Sequence, residues 1–171
     1  MPGYDVEQLR SHFPSLESGI AHFDGPGGTQ TPRQVGAAIA EVLTGPLSNR
    51  GTVSASESNA EAAIAAFRAA GADLLGVPAA GVVYGRSATQ LAYDFSRALA
   101  KGWGPGDEVV VTRLDHDSNV RPWVQAAGHV GATVRWVDLD PATAELDPAS
   151  LDTAITDRTR LVAVTAASNL L

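Results

Sequence analysis

Val109-Val110-Val111-Thr112-Arg113-Leu114-Asp115-His116-Asp117-Ser118-Asn119-Val120-Arg121-Pro122-Trp123 is the stretch on which the reading of this chain turns. Three consecutive valines have the continuous apolar character of a strand buried on both faces, as in a parallel sheet. The run empties into two acids, an imidazole, a hydroxyl and an amide. Pro122 then sits where a helix begins. A strand that delivers polar groups at its carboxyl end, followed by a helix, is how an open α/β sheet builds a binding crevice.

Outward from this stretch, strands and helices alternate. On the carboxyl side, a helix from Pro122 to about Val130 leads to a strand at Thr133–Val137. A polar loop over 138–147 follows, then a short helix at Pro148–Ile155 and a strand at Arg160–Thr165. On the amino side, Val82–Tyr84 reads as a brief strand. Arg86-Ser87-Ala88-Thr89-Gln90 is a turn that opens a helix to Lys101. Glu57–Gly76 is a long Ala-rich helix with Ile64, Phe67, Leu74 and Leu75 as inward candidates. Thr31 and Pro32 read as the cap and first position of another helix, with Val35, Ile39, Val42 and Leu43 on its buried side. Asp5–Phe13 has the spacing of a short helix, and Ile20–Phe23 reads as a strand. This βαβ rhythm predicts an α/β fold, a mostly parallel sheet with helices on both faces.

Composition narrows the function. The chain has 171 residues, 44% of them hydrophobic, enough for a real core. It has no Cys, so a thiolate zinc site and a cysteine nucleophile are excluded within these residues. A net charge of −7 without a Lys/Arg cluster argues against nucleic acid as a partner. No apolar run has the roughly 18 residues of a spanning helix, and the amino terminus lacks the pattern of a secretory signal. The expectation is a cytoplasmic protein without membrane contact. The apolar residues 161–167 are followed almost at once by the last residue, Leu171, which suggests the amino-terminal part of a longer chain.

Each candidate site has a plain structural explanation as well. The hydroxyl-rich turn at 86–90 leaves main-chain N–H groups free at a helix start and could cradle a phosphate, yet Ser87 could be simply a helix cap. Asp115 to Asn119 could ligate a metal, but adjacent residues point apart and no second His-rich motif completes a ligand set, so no metal is expected. His116 could instead stack on or bond to an organic ring, or could be an incidental loop residue. Gly25 to Gly28 lacks the third glycine and the helix placement of a dinucleotide fingerprint. Ser168-Asn169, past the last strand, could bond a ligand oxygen or merely turn the chain.

Taken in order, these motifs resemble the class V aminotransferase family of pyridoxal-phosphate enzymes, closest to its cysteine desulfurase and selenocysteine lyase branch. Phe23-Asp24 with its Gly-rich loop resembles the family's opening strand. Asn49-Arg50-Gly51 resembles a loop that reaches toward the neighbouring subunit's site. Val83 to Gln90 resembles the strand–turn–helix that binds the cofactor phosphate. Asp115-His116 through Pro122-Trp123 resembles the motif E-H-x-x-N-x-x-P-W, and Arg158 to Asn169 resembles a strand ending in S-N-V-x-G-T.

The resemblance implies the amino-terminal part of a fold-type-I large domain at 21–171, preceded by an arm at 1–20. It implies pyridoxal 5'-phosphate as cofactor, an amino-acid substrate and a homodimer. Carbon–sulfur lyase chemistry is the activity it favours; aminotransferase, epimerase or other β-lyase activity, and a truncated inactive chain, are the alternatives. His116 would stack on the pyridine ring, Ala88 (through its backbone) and Thr89 would hold the phosphate, and Asn169 would bond the phenolic oxygen. Asn49 and Arg50 would serve substrate or dimer. Two departures stand out: S-A-T-Q where desulfurases usually have G-T-T-E, and Asp115 where Glu is common. The sole lysine, Lys101, does not match the family's Schiff-base position, so these residues alone are expected to be inactive.

Overall fold

A computed structural model describes residues 3–168. The chain divides into two compact units that meet between Tyr84 and Gly85.

The second unit carries the sheet. Strands β1 (Glu108–Thr112), β2 (Thr133–Val137) and β5 (Thr159–Ala163) form a parallel sheet in the order β2-β1-β5. The central strand is buried along its whole length; Val109, Val110, Val111 and Thr112 are all 0% exposed. Each such valine contributes about 1.5–3 kcal/mol by leaving water. Their side chains alternate between faces. Val109 and Val111 pack with Trp123 and Ala127 of helix α5 (Arg121–Val130), whereas Val110 packs with Ala154 of α6 (Pro148–Ala154). Helices therefore cover both faces, as the apolar run predicts.

Residue chemistry sets where these elements start and stop. Pro122 lies in the first turn of α5 and Gly131, at φ 77°, ends it in the left-handed region that suits glycine. Helix α4 (Ala88–Leu99) is capped by Ser87, whose Oγ accepts from the Gln90 N–H at 3.2 Å. Across the amino-terminal edge of the sheet, the buried Glu108 carboxylate takes Arg158 at 2.6 Å, Thr156 at 2.8 Å and Arg135 at 3.6 Å. One acid thus ties β1 to β2 and to the approach to β5.

The first unit is helical. It holds α1 (Val6–Arg10), α2 (Arg33–Thr44) and α3 (Ala55–Leu75). A capping box starts α3: Ser54 Oγ accepts from Glu57 N–H, and the Glu57 carboxylate accepts from Ser54 N–H at 3.1 Å. Val82 packs against Gly71 of α3, where an added Cβ would meet the valine at 3.0 Å. Tyr84 meets the Phe67 ring edge-on with centroids 5.5 Å apart.

Several expectations are corrected. Ile20–Phe23 and Val82–Tyr84 are not strands, because a strand exists only by pairing and neither segment has a ladder partner among the described residues. Helix α2 starts after Pro32 without a side-chain cap, so Thr31 does not play that role. The loop at 138–147 contains a small antiparallel pair, β3 (Leu139–Asp140) and β4 (Glu145–Leu146), too short to show a period of two. The final strand ends at Ala163, not Thr165. The apolar stripe of α2 is exposed, as are Phe67, Leu74 and Leu75 of α3. Periodicity encodes a preference for burial. Within the described residues of the first unit these positions are covered only in part, Phe67 by the Tyr84 ring.

Candidate functional site

The order β2-β1-β5 places the two crossovers on opposite sides of β1. The chain leaves β1 toward β2 through α5 and returns past it to β5 through α6. That arrangement opens a crevice outside the carboxyl end of β1. Thr112 ends the strand there, and residues 113–119 form the shelf that follows.

The shelf is built by short hydrogen bonds. Thr112 Oγ1 donates to Asp115 Oδ2. Asn119 Nδ2 donates to Asp115 Oδ1 at 2.7 Å, and the indole Nε1 of Trp123 donates to Asn119 Oδ1 at 3.1 Å. Trp123 is itself buried against Val109 and Val111. The polar turn is therefore fastened at one end to the strand and at the other to the core. Asp117 to Asn119 make one turn of 3₁₀ helix, with Asn119 N–H bonded to the His116 carbonyl at 2.8 Å.

His116 caps this turn and is exposed. Its Nδ1 lies 3.1 Å from the main-chain nitrogen of Ser118 and 2.8 Å from Ser118 Oγ. Asp117 pairs with Arg121 one helical turn on, at 2.7 Å. Asp115 and Asp117 therefore already have partners within the turn. Among the described residues, no three His, Asp or Glu side chains are grouped to hold a metal ion.

Helix α4 packs against the 117–119 turn. The first N–H groups of a helix have no partner inside it. The Gln90 N–H is taken by Ser87, which leaves those of Ala88 and Thr89 without a partner among the described residues and open to an outside acceptor. The partial positive charge of a twelve-residue helix adds to them. Gly85 allows the sharp entry into α4, since a Cβ there would stand 2.5 Å from the Leu91 side chain. Asp94 accepts from Gln90 and Arg97, which hold its carboxyl below the usual range.

The structure thus places Ala88, Thr89 and His116 in one unit. Two clefts elsewhere in that unit, of about 520 and 430 Å³, contain none of these residues. Asn169 lies outside the described residues. Asn49 and Arg50 belong to the first unit, in the loop between α2 and α3. There the Arg50 guanidinium forms a two-pronged pair with Glu61, at 2.7 and 2.8 Å.

The side chains that hold His116 in place are not marked as supports in the sequence. Thr112, Asp115, Ser118 and Asn119 act through bonds over two to four residues. The Asp-x-x-x-Asn-x-x-x-Trp spacing, which stacks groups along successive turns, was the available signal.

A family model, "Aminotransferase class-V", matches residues 21–171. The chain belongs to the class V aminotransferase family. An uncharacterized Mycobacterium tuberculosis protein is 38% identical over 170 residues, covering 98% of this chain and 42% of that one. A probable cysteine desulfurase from Aeropyrum pernix is 35% identical over 174 residues, covering 99% and 42%. The solved cysteine desulfurase of Thermococcus onnurineus superposes with a TM-score of 0.87 over 99% of this chain and 42% of its own, at 24% identity, a likeness of fold. The chain spans about 42% of the length of these proteins. The fold is the amino-terminal part of the fold-type-I architecture: a parallel sheet with helices on both faces. Among the described residues, no helix is long and apolar enough to cross a membrane.

Proposed function

We propose that this chain forms part of a pyridoxal-phosphate-dependent enzyme acting on an amino acid, with cysteine desulfurase-like carbon–sulfur lyase activity. The observation that carries the reading is the pair of amides at Ala88 and Thr89, unpartnered among the described residues, in the unit that also presents His116 after the carboxyl end of the central strand. The donor set fits the cofactor. Two main-chain N–H groups and the Thr89 hydroxyl suit a phosphate, and the helix dipole favours its charge. An exposed imidazole on a rigid turn suits the face or edge of a flat ring. Desulfurases among the similar proteins favour the lyase assignment.

Pyridoxal phosphate, when bound, supplies the electron sink for breaking bonds at the substrate's α-carbon. This chain's residues supply orientation. Ala88 and Thr89 hold the phosphate end, and His116 holds the ring end. The Asp115–Asn119–Trp123 chain keeps His116 from swinging away. Asn169 is assigned to the phenolic oxygen, and the Asn49–Arg50 loop to a substrate or to a second copy of the protein. A homodimer working in the cytoplasm and built from large-domain residues 21–171 after an arm at 1–20 belongs to the same proposal.

The test is a titration of the intact protein with pyridoxal 5'-phosphate, then turnover assays with cysteine and with an amino-donor and keto-acid pair. Saturable cofactor binding with sulfur release from cysteine supports the proposal. Amino transfer without sulfur release replaces the lyase assignment, and no cofactor binding removes the whole reading.

A further inference from the structure

The hydrogen bonds of the 115–119 turn decide where the His116 proton sits. A main-chain N–H can only donate, and the one at Ser118 points at Nδ1 of His116 across 3.1 Å. Nδ1 must therefore offer its lone pair. In a neutral imidazole one nitrogen accepts and the other carries the proton. The proton is consequently on Nε2, the nitrogen remote from the turn. Ser118 Oγ, 2.8 Å from the same Nδ1, can donate to it in this state.

We propose that Ser118 is a positioning residue whose main-chain N–H fixes His116 in the Nε2–H form, so that neutral His116 serves as a hydrogen-bond donor and not as a general base. A base would need a free lone pair on Nε2 and the proton on Nδ1. That would set the Nδ1–H against the Ser118 N–H. The arrangement cannot relax easily. The turn is closed by the Asn119 N–H to His116 carbonyl bond and by Val120 N–H to the Asp117 carbonyl at 3.1 Å. It is pinned further by the Asn119–Asp115 and Trp123–Asn119 bonds. In this state the site sees N–H, which suits an electron-rich oxygen or a π-face next to it.

This rests on the cofactor reading above only for what His116 faces, so the test separates the two. The intact protein is labelled with 15N at His and Ser, and the ring signals of His116 are identified by their loss in His116→Gln. Expected is an unprotonated Nδ1, a protonated Nε2, and a scalar coupling across the hydrogen bond between Nδ1 and the Ser118 amide nitrogen. Ser118→Ala removes the hydroxyl, keeps the main-chain donor, and should leave the tautomer unchanged. A proton on Nδ1 in the neutral ring, an absent coupling, or a tautomer that flips in Ser118→Ala would overturn the proposal. Pyridoxal phosphate is then added. If it leaves the His116 signals in place while the coupling persists, the cofactor reading fails and the tautomer assignment stands.

Discussion

Asn119 reaches back four residues to donate to Asp115 at 2.7 Å, and by doing so it receives the indole N–H of Trp123 in the right place. One amide thus joins the acid that precedes His116 to a buried aromatic of the core. Asn119→Ala should leave the Trp123 N–H without its acceptor and remove one bond to Asp115. A lost bond to a charged group, with a part-buried donor stranded, costs about 1–3 kcal/mol. Urea unfolding of the intact protein should show that loss, together with a changed tryptophan signal. Undiminished stability would mean the relay is ornamental.

Gly85 makes the entry to α4. Gly85→Ala should drive a methyl group into Leu91, 2.5 Å away, and overpacking of this kind costs roughly 1–3 kcal/mol. Adding Leu91→Ala should recover part of the loss by removing the obstacle. If the double variant is no better than the sum of the singles, the clash is not the cause.

The Glu108 carboxylate gives an acid-side prediction. The Thr156 hydroxyl, then the Arg158 and Arg135 guanidiniums, hold its pKa below the usual glutamate value against the opposing effect of burial. A group whose pKa folding lowers stabilises the protein fully above its unfolded pKa. That contribution fades as pH falls through the lowered value. The wild type should therefore lose stability as pH drops below about 4.3, the ordinary glutamate value. Glu108→Gln should be less stable at pH 7 and lose less across the acid range. Denaturant midpoints measured from pH 7 to pH 3 check this; parallel curves for the two proteins would refute it.

The proposed phosphate site at the start of α4 predicts a graded response. Thr89→Ala deletes a hydroxyl donor but keeps both main-chain amides. A hydrogen bond to a charged group is worth about 1.5–3 kcal/mol, so pyridoxal phosphate affinity should fall about 10-fold or more. Ala88→Thr, which restores the hydroxyl common among desulfurases, should tighten binding. Equilibrium dialysis of both variants gives the comparison, and no change in either would move the phosphate elsewhere.

The sheet was legible because its central strand is apolar at every buried position: Val109 to Val111 need no partner's sequence to be recognised. The turn after it was legible as chemistry, since His116 among acids and amides is unusual after such a strand. The supports of His116 were not, because their meaning lies in which atom donates to which. Nothing in the letters D-H-D-S-N says that Ser118 uses its main chain. The Val82–Tyr84 segment was misjudged for a related reason: β-branched and aromatic residues make a strand possible, but only a neighbouring ladder makes it one. The exposed stripe of α2 shows the same limit, since a pattern records a preference for burial and not the surface that satisfies it.

The central claim is that His116 and the α4 amino terminus form two ends of one pyridoxal-phosphate site. The most direct test is titration of the intact protein with pyridoxal 5'-phosphate, followed by visible absorbance, for the wild type, Thr89→Ala and His116→Ala. The account predicts saturable binding in the wild type, weaker binding in Thr89→Ala, and an altered absorption band with turnover reduced about 10-fold or more in His116→Ala, the worth of one hydrogen bond to a charged group. Binding that is absent in the wild type, or unaffected in affinity, spectrum and turnover by both substitutions, would contradict it.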